Sequence, residues 1–154
     1  MTITPMSVSD PFEYIEEHHK LIATLMDQVL DAAEGSKRSR DELFTELRGV
    51  LMWHFEIAER VVFPAMSSLD MVSEYVRESE NDHRVLRGML MEISDVPTET
   101  LEWREKFETL KEHFELHVEN EDADILKKGH KEMSDDDKRE MAVKIQEFEM
   151  SATA

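Results

Sequence analysis

His18, His54, His83 and His117 each fall on a helically spaced stripe of apolar residues, and three of them have carboxylates within about one turn. Glu121 and Asp122 follow His117 by four and five residues, Glu59 follows His54 by five, and Glu80 precedes His83 by three. A single histidine on an apolar face is more often a hydrogen-bonded core residue than a ligand. Four imidazoles buried together need either many acceptors or a shared cation, because desolvation is otherwise uncompensated. The donors on offer are nitrogen and oxygen only. The chain has no cysteine, which excludes thiolate ligation, iron–sulfur clusters, disulfides and a thiol nucleophile.

The elements that must position these residues are helices. Asp10-Pro11-Phe12-Glu13 has an N-cap, a proline at the first helical position and capping-box spacing, and opens a first helix predicted to reach Gly35. Its stripe Ile15, His18, Ile22, Leu25, Val29 turns His18 inward, and His19, about 100° further round, is expected to turn away. Ser39 with Glu42 starts a second helix, carrying Leu43, Leu47, Val50, His54, Ile57 and Val61, which Phe63-Pro64 should break. A third follows Ser67-Ser68 with Val72, Val76, Ser79, His83, Leu86 and Leu90, and ends at Asp95-Val96-Pro97. Thr98 is placed to cap a fourth, with Phe107, Leu110, Phe114, His117 and Glu121, stopping at Lys127-Lys128-Gly129. Ser134 to Met150 reads as a short fifth helix with Met141, Ile145 and Phe148 on one side, a lid on the bundle end. With no β-branched alternation and short connections, the class is all-α: an up-down-up-down four-helix bundle with a short C-terminal fifth helix. In that topology the four histidines share a layer about 9 Å thick, from a rise of roughly 1.5 Å per residue.

The 154 residues suffice for one core, divided as a flexible N-terminus (1–10), the bundle (11–128) and a C-terminal helix and tail (129–154). The formal charge of -18 sets the chain against nucleic acid and anionic membranes. No stretch reads as a signal peptide or membrane span, so a soluble cytoplasmic protein is expected. The eleven methionines read as core filler, and the acidic runs Glu119–Asp124 and Asp135–Asp137 as solvated faces and helix-start charge, with Glu121 and Asp122 alone given a specific role. Histidine and carboxylate without thiolate suit iron, manganese or zinc, and two ions bridged by carboxylates in a bundle are best matched to di-iron chemistry.

EEHHKLIATLM from Glu16, HFEIAERVVFPAM from His54, ENDHRVL from Glu80 and HVENEDADIL from His117 stand in a particular order and spacing. In these the chain resembles the hemerythrin-like (HHE cation-binding) family over about residues 11 to 128. That family's order is His, His-x-x-x-Glu, His, and His-x-x-x-Glu or Asp. The resemblance implies His18, His54, His83 and His117 as metal ligands with Glu121 and Asp122.

On the second helix this sequence departs from the pattern: Ala58 stands four residues after His54, and only Glu59 remains. Glu59, with local helix distortion, or Glu80, as a Glu-x-x-His pair with His83, would replace the lost carboxylate. Ser79 stands where oxygen-carrying relatives have a second histidine, and His113 is a further possible nitrogen donor. The implied cofactor is two iron ions, oxo- or hydroxo-bridged, ahead of manganese or zinc. The implied partner is a small molecule: dioxygen, peroxide or nitric oxide. Two activities follow, binding of dioxygen or a related molecule for storage, delivery or sensing, and an enzyme decomposing hydrogen peroxide or reducing oxygen or nitric oxide. A metal-free bundle with buried histidines is the structural alternative.

Overall fold

The computed structural model describes residues 10–32 and 38–153, and every regular element among them is helical. α1 spans Pro11–Asp31, α2 Arg40–Ile57, α3 Phe63–Met66, α4 Ser73–Ser94, α5 Leu101–Glu121, α6 Lys127–Glu132 and α7 Asp135–Thr153. Residues 1–9 of the expected flexible N-terminus, and Gly35 as the end of the first helix, lie outside the described residues. No helix among the described residues is long and apolar enough to cross a membrane.

The helix starts follow from local chemistry. The Asp10 side chain accepts from the backbone N–H of Phe12 and Glu13, and Ser39 Oγ accepts from Glu42 N. Thr100, and not Thr98, caps α5, because a turn from Pro97 O to Thr100 N delays the helix and leaves Thr100 Oγ1 to accept from Trp103 N at 3.2 Å. Arg40 ties the far end of α1, its guanidinium donating to the carbonyls of Val29, Leu30 and Ala32.

Two helix ends differ from expectation in the same way. Beyond Ile57 the chain widens into a π-helical turn, Ala58–Val62, in which Phe63 N reaches Ala58 O, five residues back. Pro64, with no N–H to give, therefore fits in the first turn of α3 where a break was expected. Beyond Glu121 a second π-helical turn, Asp122–Leu126, leads into α6, which runs past Gly129 to Glu132. Gly129 is thus helical, and what demands glycine there is close packing: a Cβ would meet the Met66 side chain and the Phe12 ring.

The four long helices pack in a ring, α1 on α2, α2 on α4, α4 on α5 and α5 on α1. α7, at 19 residues not short, lies over α1 and the first π turn, burying Met141 and Ile145 and setting Phe148 against Trp53. Two apolar clusters result. One gathers Phe12, Ile15, Ile57, Val62, Ile125 and Ile145; the other gathers Leu25, Leu47, Phe55, Trp103, Phe107 and Phe114. Burying aromatics of this size contributes about 3–5 kcal/mol each against truncation to alanine. The buried histidines touch both, His83 lying against Phe55 of one and Phe63 of the other.

Candidate metal centre

Helix α1 buries a wider face than one stripe. Phe12, Ile15, His19, Ile22, Met26 and Val29 form an unbroken heptad-spaced row, while Tyr14, His18 and Leu25 form a second row beside it. The expectation that His19 turns away is corrected: it is 3% exposed, and its Nε2 lies 3.2 Å from His54 Nε2 and 3.0 Å from Glu121 Oε1. His18 is buried as well, but its ring stands against Tyr14, with centroids 4.2 Å apart, and neither of its nitrogens has a hydrogen-bond partner. The stripe expected to hold His18 also runs through Ile15, Ile22 and Val29, so period alone does not separate the two rows. Phe12 and Met26, which complete the row of His19, were the available signal.

α2 contributes His54, α4 His83 and Ser79, and α5 His117 and Glu121, all buried. One ligand atom each from His54, His83, His117 and Glu121 lies within 4.8 Å of all the others. Glu121, 1% exposed, organises the set. Its Oε1 faces His19 at 3.0 Å and His54 at 3.8 Å, while its Oε2 faces His117 at 2.9 Å and His83 at 3.6 Å. The imidazoles are themselves paired, Nε2 to Nε2, at 3.2 Å for His19 and His54 and at 3.1 Å for His83 and His117. Two lone pairs facing each other at that distance repel, so a proton or a cation must stand between them. Ser79 Oγ completes the surroundings by donating to Glu121 Oε2 at 3.2 Å.

Three of the four rings are held from behind. Asp122 Oδ1 lies 2.9 Å from His19 Nδ1, Glu59 Oε2 3.2 Å from His83 Nδ1, and Asp82 Oδ2 3.1 Å from His117 Nδ1. A carboxylate on Nδ1 fixes the ring's orientation and tautomer and makes Nε2 a better donor to a metal. Glu59 reaches His83 from the first π turn and Asp122 reaches His19 from the second, the local distortion anticipated for Glu59. Both arrive on the outer nitrogen, away from Glu121. Arg87 holds Glu59 in turn, with Nη2 2.8 Å from Oε2. Asp82 was not anticipated, because its contact crosses from α4 to α5 and no spacing within one helix reports it.

The remaining expected residues do not join. Glu80 is exposed; Ser79, four residues before His83, occupies the inward place instead. His113 is exposed, beside a small cavity that also touches His117.

The electrostatics follow from burial opposed by contact. Burial lowers His19, but Asp122 and Glu121 overcome it and raise it to about 9. His83 is raised against burial by Glu121 and Glu59. Burial works against the Glu121 carboxylate, yet His117, His19 and His83 hold it well below the usual range. Glu59, also opposed by burial, is held at about 2 by His83 and Arg87. Burial, then the charge of His19, pushes His54 well below its ordinary value, and the same two causes put His18 at about 4. An ionised carboxylate ringed by imidazoles is a charge arrangement that a divalent cation satisfies by replacing ring protons.

A family model for the hemerythrin HHE cation binding domain matches residues 10–128. The chain belongs to that family. A solved hemerythrin HHE cation binding domain-containing protein from Mycobacterium kansasii shares its fold, with a TM-score of 0.76 at 23% sequence identity over 94% of this chain and 90% of that one. No curated protein matches. Within this hemerythrin-like domain, then, the His/Glu cluster is a group that could hold metal, and its donors fit one: no thiolate, converging Nε2 atoms, and a bidentate-capable carboxylate between them.

Proposed function

We propose that this protein is a non-haem di-iron protein of the hemerythrin-like kind that binds dioxygen or a related small molecule for storage, delivery or sensing. The observation that carries the reading is the division of Glu121, whose two oxygens each face a different pair of imidazole nitrogens. One ion would be held by His19, His54 and Oε1, the other by His83, His117 and Oε2. Glu59, Asp82 and Asp122 would orient the rings, and His18 would stand aside. The ring of helix contacts supports an up-down-up-down course for α1, α2, α4 and α5.

Iron bound there would supply a redox-active Lewis acid with coordination positions free for a small ligand. The chain's own part is to orient, to exclude water and to hold charge. Phe55, Phe63 and Phe114 line the imidazoles, with the Phe55 and His83 centroids 4.5 Å apart and those of Phe63 and His83 stacked at 5.6 Å. Aromatic walls of this kind lower the local dielectric and strengthen each charged contact.

A second reading, an enzyme that decomposes hydrogen peroxide or reduces oxygen or nitric oxide, is favoured by one observation. Among the described residues a single carboxylate, Glu121, stands inside the ring of imidazoles, which would leave each ion few protein donors and open positions for turnover. Metal analysis of the purified protein, with spectra through anaerobic reduction, re-aeration and peroxide addition, separates the two. Iron with an oxo-bridge spectrum and a stable oxygenated band supports binding; rapid catalytic loss of peroxide supports the enzyme. Failure to take up ferrous iron would sink both.

A further inference from the structure

We propose that the seam between α4 and α5 is the entrance to the cluster, that Ser79 is the residue that sets what passes, and that the molecule admitted is small and uncharged. This inference rests on reading the cluster as a metal centre.

Two cavities lie along that seam. The larger, of about 560 Å³, has Ser79 in its wall; the smaller, of about 160 Å³, has His117 in its wall, and the two share Asp82 and Asn120. A third hollow, at the start of α2, touches none of the cluster residues. Ser79 is 4% exposed, yet it forms part of the cavity wall on one side and donates to Glu121 Oε2 on the other. It is therefore a single small side chain between the seam and the carboxylate that faces both imidazole pairs. A leucine at this position would fill the passage, and an alanine would widen it.

The walls select by charge. Glu74, Glu78, Asp82 and Asp124 line the larger cavity against the one cation Arg77, on a chain whose formal charge is -18. Such a surface slows the approach of an anion and is indifferent to a neutral molecule, and salt relieves the difference. Dioxygen, nitric oxide and hydrogen peroxide are of the admitted class, whereas azide and superoxide are of the excluded class.

The test uses the full-length iron-loaded protein, mixed anaerobically in its ferrous form with nitric oxide, with rates expressed per bound iron. Asn120→Trp, on the exposed rim common to both cavities, is expected to keep its iron and bind nitric oxide roughly tenfold more slowly. Ser79→Leu should slow binding by a similar factor, while Ser79→Ala should bind at least as fast as the wild type. Azide association with the ferric form should speed up with added salt and in Glu78→Gln, while the nitric oxide rate stays flat. Unchanged nitric oxide rates in iron-loaded Asn120→Trp and Ser79→Leu would put the entrance elsewhere and overturn the proposal. An azide rate that falls with salt would overturn the charge selection. A wild type that takes up no iron removes the metal reading, and the entrance with it.

Discussion

On the side of α4 and α5, His83 and His117 each have a carboxylate on Nδ1, Glu59 is itself held by Arg87, and the His117 ring lines one of the seam cavities. On the side of α1 and α2 only His19 is backed, by Asp122; His54 Nδ1 has no partner, and the neighbouring His18 has none on either nitrogen. The same four-imidazole pattern is thus oriented in one half by charged hydrogen bonds and in the other mainly by burial. Charged hydrogen bonds fix a ring's rotation and tautomer, while burial fixes only its position. The α4–α5 half is therefore the pre-organised one, and the two proposed metal positions should differ in affinity, the tighter at His83 and His117.

Glu121 is the one residue common to both halves, so its loss should erase the comparison altogether. Glu121→Ala is expected to bring metal content to background, because each imidazole pair loses its only inner oxygen and the buried charge that stabilises it. Elemental analysis of the reconstituted variant decides this, with circular dichroism to establish that the helices persist. Full stoichiometry in Glu121→Ala would mean that the imidazoles hold metal without it, and the division of the site would be wrong.

The outer carboxylates test each half separately. Glu59→Ala or Asp82→Ala should weaken the tighter site, and Asp122→Ala the weaker one, each by about 10–100-fold in metal affinity with stoichiometry preserved. Competition titration with a chromophoric chelator reads both quantities. If Glu59→Ala instead loses one whole equivalent, then Glu59 moves inward on metal binding and serves as a ligand.

A smaller effect comes from the packing of α6 beside the start of α1. Gly129→Ala forces a methyl against Met66 and the Phe12 ring, and overpacking of that kind costs about 1–3 kcal/mol. Urea unfolding should report the loss. An unchanged unfolding midpoint would mean that the Met66 side chain swings aside and that packing does not demand glycine there.

Helices were legible because apolar period and caps are local. His54, His83, His117 and Glu121 were named from their stripes, and the structure brings them together. Ala58 was recognised as the missing carboxylate position, and the π turn that follows His54 shows how Glu59 comes to touch His83. What was not legible depends on what covers a face. His18 and His19 are adjacent, and each lies on an apolar row. Only the packing of α7 over α1, with Glu149 facing the Tyr14 hydroxyl, takes the row of His18 away from the cluster. Asp82 and Ser79 were invisible as contacts for the same reason: each acts on a residue of another helix.

His18 therefore gives the finest test, because it was the expected ligand and stands one residue from the histidine that reaches Glu121. Two buried ring nitrogens without partners cost roughly 1–3 kcal/mol of desolvation each. His18→Leu replaces them with an apolar side chain of similar size, against Tyr14. The expected result is unchanged metal stoichiometry and affinity, with stability equal to or slightly above the wild type. His19→Leu should behave oppositely, losing the weaker ion while its neighbour stays in place. Should His18→Leu lose an equivalent of metal and His19→Leu keep both, the roles of the two rows of α1 would be reversed, and with them the pairing of His19 with His54 on which the weaker half of the centre is built.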